Sequence, residues 1–219
     1  MKNSLLVTRP AYDDATSYLY HYAGEVINYA REKDINVLDL ERPRLTKKNF
    51  TKIVSDKNPY VIFFNAHGDS TCIYGDKIDA DEEILIEENV NHDLLNNKVV
   101  YARACYAGAS LGEACVKIGG CFIGYESPFT FWIDANWSAT PLKDETAKLF
   151  LEPSNMIVLS LLKGNSVREA VEKSVNLTKK NIMKLMSDQK EPGYMASIMA
   201  LWSNLEGQVV LGDKDMKME

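Results

Sequence analysis

The sequence predicts an α/β fold built on a mostly parallel sheet of about six strands. Three observations point there. Two apolar runs, YVIFFNA at 60–66 and KVVYARA at 98–104, are short and rich in β-branched and aromatic residues, as central strands covered on both faces are. Segments of helical spacing alternate with these runs and with four further strand candidates. Neither an internal repeat nor a low-complexity linker interrupts the alternation.

From the N-terminus, 5–8 is a strand stopped by Pro10. Asp13 or Asp14 caps a helix to about Lys33, with Tyr18, Tyr22, Val26 and Ala30 on one face. A second strand, 35–40, precedes a helix capped by Thr46 that carries Phe50 and Ile53. The third strand, 60–66, runs straight into His67–Gly68–Asp69. Segments 72–77 and 83–87 flank an acidic tip at 79–81 and read as a small hairpin or an irregular excursion. Leu94 and Leu95 open a short helical turn that leads into the strand 98–104, which stops on Cys105 and turns at Gly108. A helix from Ser110 to Ile118 places Leu111, Ala114, Cys115 and Ile118 on its buried face and stops at Gly119–Gly120.

The fifth strand is 121–125, followed by an irregular stretch with Phe129, Phe131, Trp132 and Trp137. Pro153 is expected to kink or split a helix from Asp144 to about Leu162. Ser166 and Glu169 form a capping box that opens a helix to about Met186. A loop at 189–193, a short helix or strand at 194–202, and a last strand at 208–211 complete one domain, 1–212, and 213–219 reads as a frayed tail.

Composition narrows the partners. Net charge is −6, with a pI of about 5.2 and no block of Lys or Arg, which argues against nucleic acid or an anionic membrane. The apolar part of the N-terminus is too short for a signal peptide, and no run approaches a membrane span. The expected location is therefore cytoplasmic, and the thiols of Cys72, Cys105, Cys115 and Cys121 are expected to be reduced, although four cysteines would permit two disulfides. They show no C-x-x-C pair and no zinc spacing, so neither metal nor cofactor is expected. A flavodoxin-like binding domain, with no thiol chemistry, would call for a glycine-rich phosphate loop, which is missing.

Cys105 and His67 each follow an apolar strand, 38 residues apart (67 to 105), a fitting distance for two successive strands of one parallel sheet. Open α/β sheets place ligands at such carboxyl ends. A thiol needs a neighbouring base to become a nucleophile at neutral pH, and an imidazole supplies one. Gly68, lacking Cβ, permits close approach of a substrate, and the N–H groups of Gly68 and Cys105 are candidate donors to an oxyanion. Taken singly, a buried cysteine is a small hydrophobe and a histidine a satisfied polar group; the pairing is what points to acyl transfer.

Around these residues the chain resembles the caspase-like cysteine peptidases (clan CD), which include legumain, gingipain, metacaspases, separase and the prokaryotic CHAT domains. The similarity lies in FFNAHG at 63–68 and VVYARAC at 99–105, an apolar strand ending in His-Gly and a second ending in Ala-Cys. The flanks of Cys105 depart from the caspase form Q-A-C-[RQG]-G. GCFIGY at 120–125 and Arg168–Glu169–Ala170 are more similar to CHAT domains. The resemblance implies a three-layer α/β/α sandwich, a Cys105/His67 dyad and endopeptidase activity on a protein or peptide substrate, with a regulatory protein partner in many members.

The resemblance also places the residue two before the nucleophile, here Arg103, in the pocket for the side chain preceding the scissile bond (P1), where a guanidinium favours an acidic group. Alternatively Arg103 pairs with a carboxylate such as Asp134 or Glu126, and with Asp134 in the pocket a neutral polar P1 fits. Asp69 orients His67, contacts substrate or caps its loop. Trp132 is the better of the two tryptophans for touching substrate. A catalytically silent scaffold of the same fold is the competing reading.

Overall fold

The computed structural model describes residues 3–78, 81–188 and 193–218. The first half of the chain supplies β1 (Ser4–Arg9), α1 (Asp14–Glu32), β2 (Asn36–Glu41), α2 (Lys47–Lys57), β3 (Val61–Asn65), β4 (Cys72–Ile78) and β5 (Asp81–Glu87). The second half supplies β6 (Val99–Arg103), α3 (Ser110–Cys115), β7 (Cys121–Tyr125), α4 (Glu145–Leu162), α5 (Val167–Ser187), α6 (Tyr194–Gly207) and β8 (Gln208–Gly212). Six strands form one sheet in the order β2-β1-β3-β6-β7-β8, parallel except for β8.

Every residue of β3, β6 and β7 is buried, as the unbroken apolar runs require of strands covered on both sides. Alternate side chains enter two cores. Val61, Phe63, Val99 and Tyr101 pack under α1, α4, α5 and α6. Ile62, Phe64, Val100 and Ala102 pack against α2, α3 and the β4–β5 hairpin. The architecture is thus a three-layer α/β/α sandwich with the catalytic candidates at one sheet edge.

Residues 72–87 resolve as the antiparallel hairpin β4–β5, a separate two-stranded sheet; Asp79 and Ala80 of the expected acidic tip lie outside the described residues. Segment 194–202 is helical and extends to Gly207. Four residues of the expected loop at 189–193, 189–192, are also outside the described set.

Three expectations are corrected. Pro153 does not split α4, which runs through it. A proline removes the N–H that would bond the carbonyl four residues earlier; here Asn181 Nδ2 of α5 donates to that carbonyl, Leu149 O, at 2.9 Å. Ile118 is 70% exposed because α3 ends at Cys115. The tail does not fray: Met218 is buried in the core, Val167 N donates to Met216 O at 3.0 Å and Arg168 N to Lys214 O at 2.9 Å. Those two N–H groups belong to the first turn of α5, where a helix has no partners of its own.

Candidate active site

β3 and β6 are parallel neighbours with Asn65 opposite Arg103, and Ala66 N donates to Arg103 O at 3.2 Å. His67 and Cys105 therefore leave the sheet at adjoining carboxyl ends, each two residues past the last paired position. Just beyond, Gly68 forms an isolated antiparallel bridge with Ile73. The bonds of that bridge run from Tyr74 N to His67 O and from Asp69 N to Cys72 O, both 3.0 Å, which leaves the Gly68 N–H unspent on the hairpin. A Cβ at Gly68 would lie 3.0 Å from Ala104 Cβ and 3.2 Å from Cys105 O, so the His-Gly and Ala-Cys turns are in contact.

After Cys105 the chain turns sharply. Tyr106 adopts a left-handed backbone (φ 57°), uncommon for a residue with a side chain, and its N–H donates to Ser127 O at 3.1 Å. Gly108 N donates to Tyr125 O at 2.9 Å, and a Cβ there would meet Tyr125 N at 2.9 Å and Val209 Cγ2 at 2.5 Å, so only glycine fits this crossing. Cys105 is half-buried and free. Burial raises its thiol pKa, and the N–H groups of Phe129 and of Cys105 itself, aimed at the sulfur, offset part of that rise. The other three cysteines are buried and free; burial pushes Cys72 up to about 11, and Cys115 and Cys121 up to about 12.

His67 Nε2 lies 2.7 Å from Asp13 Oδ2, so the carboxylate accepts a hydrogen bond from Nε2–H and leaves Nδ1 as the acceptor-capable nitrogen. Asp13 is also the N-cap of α1, where its Oδ1 accepts from Thr16 N at 2.8 Å and from Thr16 Oγ1 at 2.7 Å. Burial raises the Asp13 carboxyl, but the bonds from Thr16 and His67 outweigh it and hold the group below the usual carboxylate range. The ring of Tyr12 stands 6.0 Å from that of His67, and its phenol donates to Glu82 of β5, so the hairpin flanks the imidazole. The sequence reading took Asp13 only as a helix cap. Topology carries the missing signal, because α1 starts at the carboxyl end of β1, and β1 is the neighbour of β3.

The expected pocket residues are placed differently. Arg103 has no exposed surface and lies in the core between β3, α1 and α4, where it cannot meet a substrate side chain. Its partners are Asn65, Asn155 and the carbonyl of Leu19, neither Asp134 nor Glu126. Burial lowers its pKa to about 10, still far above neutrality, so the guanidinium stays charged. Asp69 caps its own loop, accepting from Thr71 N at 2.7 Å, Cys72 N at 2.9 Å and Tyr74 Oη at 3.0 Å. Burial works against that carboxylate, yet these donors hold it at about 2. Asp134 accepts from Asn136 N at 3.0 Å, capping a short turn, while its own N–H donates to the buried Asp144 at 2.7 Å. Trp132 is 46% exposed on the same segment, whose Phe129 N–H faces the Cys105 sulfur. A groove of about 400 Å³ lies elsewhere, among Glu145, Lys148, Glu152, Asn181, Lys184 and Tyr194 at one end of α4, α5 and α6.

No family model matches the chain, and no curated protein matches it in sequence. Solved structures do match. The crystal structure of the Arg-specific cysteine proteinase gingipain R superposes with a TM-score of 0.62 at 10% identity, over 99% of this chain and 48% of that one. A complex of the pro- and mature domains of RgpB from Porphyromonas gingivalis gives 0.56 at 10% identity, over 100% of this chain and 49% of that one. The chain thus spans about half the length of these structures. Among the described residues no helix is long and apolar enough to cross a membrane. At such identity the likeness is one of fold: this chain has the caspase-like α/β/α sandwich that gingipain R is built on.

Proposed function

We propose that the chain is a cysteine endopeptidase acting on a protein or peptide substrate. The observation that carries this reading is the contact between two strand-end turns, one bearing an imidazole already held by a carboxylate and the other a half-buried thiol. Cys105 Sγ attacks the peptide carbonyl carbon while its proton passes to His67 Nδ1, the nitrogen that Asp13 leaves open. The negative oxygen of the tetrahedral intermediate takes the Gly68 N–H, free of the hairpin, and the Cys105 N–H, which faces the sulfur at rest, becomes the second donor once the sulfur has bonded to carbon. The C–N bond then breaks, His67 returns the proton to the leaving amine, and a thioester remains. Water attacks the thioester, His67 accepts its proton, and the acid product and free thiol are released. The raised thiol pKa fits a neutral resting cysteine that loses its proton as it attacks.

The preference for an acidic P1 has no support from Arg103, which is sealed in the core. Trp132 is one of three exposed aromatics near the nucleophile, with Trp137 of the same segment and Tyr106, which follows Cys105 directly. A CHAT-type identity rests on sequence alone; Glu169 closes the capping box with Ser166, and Arg168 pairs with Asp215 of the C-terminal segment. The test is incubation with a proteome-derived peptide pool, comparing wild type with Cys105→Ala. Cleavage lost in the variant supports the reading. A peptide pool left intact by wild type, together with Cys105 alkylation unaffected by His67→Ala, would leave the silent scaffold in its place.

A further inference from the structure

Arg103 is a fully buried cation, and its hydrogen-bond partners are neutral. Nε donates to Asn65 Oδ1 at 2.8 Å, and one terminal nitrogen reaches the same oxygen. That same nitrogen also donates to Leu19 O at 3.3 Å, and the other terminal nitrogen donates to Asn155 Oδ1 at 3.0 Å. The guanidinium plane lies over Phe63, 4.7 Å from the ring centre. Among the described residues no carboxylate oxygen lies within ion-pairing distance of it. Removing a charge from water is costly even when it is well bonded, and an apolar side chain of similar volume is usually at least as stable. Packing alone therefore does not account for an arginine here.

Connectivity does. Asn65 Nδ2 donates to Thr8 O at 3.1 Å, so the guanidinium reaches the end of β1 through one amide. Asn155 Nδ2 donates to Tyr22 O at 2.8 Å, which ties α4 to α1. Asn65 stands two residues before His67, Arg103 stands two before Cys105, and Leu19 and Tyr22 belong to the helix that Asp13 caps. Each of the three reactive side chains thus sits on an element that Arg103 holds directly or through one asparagine. A lysine could not replace it, because a point charge lacks the planar fork that engages several acceptors at fixed angles.

We propose that the Arg103 guanidinium is a positioning group that fixes the spacing of the elements carrying Asp13, His67 and Cys105. This rests on the peptidase reading, but its test does not require turnover. The rate of Cys105 alkylation by iodoacetamide is followed by mass spectrometry across the neutral pH range for wild type, His67→Ala, Arg103→Met and Asn65→Ala. Arg103→Met is expected to label about ten- to a hundredfold more slowly at neutral pH, with its profile moved toward that of His67→Ala, since displacements of about 1 Å carry penalties up to about a hundredfold. Asn65→Ala keeps the guanidinium but cuts the tie to β3, and is expected to show the same defect. The double variant Arg103→Met/Asn65→Ala should be no slower than either single one. Arg103→Lys is expected to recover only part of the loss. Leu161→Ala, deep in the far part of α4, serves as a stability control and should keep the wild-type profile.

A wild-type pH profile in folded Arg103→Met overturns the proposal, as does a defect in Leu161→Ala matching that of Arg103→Met. If Arg103→Met does not fold, Asn65→Ala decides alone, and a wild-type profile there overturns it. A His67→Ala variant that labels like wild type removes the dyad itself, a different failure from that of Arg103.

Discussion

Replacing Asp13 by asparagine separates two tasks that one carboxylate performs. Oδ1 caps α1 through Thr16, and Oδ2 holds His67 Nε2. Asparagine caps a helix as well as aspartate does, within a few tenths of a kcal/mol, whereas alanine costs about 1 kcal/mol. The ion-pair part of the contact adds little, because the two side chains are 37% and 39% exposed and surface pairs contribute about 0–1 kcal/mol. Asp13→Asn should therefore melt close to wild type, while Asp13→Ala should melt about 2–4 °C lower, the usual shift per kcal/mol for a chain of this size. Activity should order differently. The asparagine amide presents an N–H to Nε2, forcing that nitrogen to accept and placing the ring proton on Nδ1. An Nδ1–H cannot take the thiol proton, so kcat is expected to fall about 10²- to 10⁴-fold, as a wrong tautomer does in related triads. Thermal melts and peptide hydrolysis on the same preparations check this. A stable Asp13→Asn with wild-type kcat would refute the orienting role, and equal melting of the alanine and asparagine variants would refute the cap.

Native alkylation should label Cys105 first, with Cys72, Cys115 and Cys121 silent until denaturant exposes them, as peptide mapping can show; their thiols are buried and titrate at about 11 to 12. Gly68→Ala should reduce turnover more than stability, since its Cβ would press within 3.0–3.2 Å of Ala104 Cβ, Cys72 O and Cys105 O; the comparison is kcat against melting temperature. Asp69 has its folded pKa depressed to about 2, so its contribution is complete above the normal carboxylate range and is lost as pH falls toward 2. Melting temperature should therefore drop over that acid interval, and less steeply in Asp69→Ala. Asn181→Leu strips the donor from Leu149 O beside Pro153 and should cost about 1–3 kcal/mol, read by denaturant melts.

Much of the fold was legible because β3, β6 and β7 have no solvent face, and apolar runs of four or five residues announce such strands. The caps were legible for a similar local reason: Thr46 and Ser166 bond within three residues of themselves. What failed was long-range. Asn181 repairs the proline break from 32 residues away, and no local pattern contains that bond. Arg103 was misplaced because the alternation that puts it on the face of Cys105 does not say whether that face is open or covered at that depth; α1 and α4 cover it. Asp13 was found as a cap and missed as a partner of His67, since its second bond crosses 54 residues of sequence.

The closing segment of the chain has a consequence for anyone shortening this protein. Residues 213–218 lend backbone oxygens to the opening N–H groups of α5 and drop Met218 into the main core. A version ending at Gly212 would keep all eight strands yet uncover apolar surface and strip two amides of their acceptors. Such a trimmed chain should be less soluble and quicker to degrade than one that keeps these residues, although nothing removed lies at the sheet edge that bears the thiol.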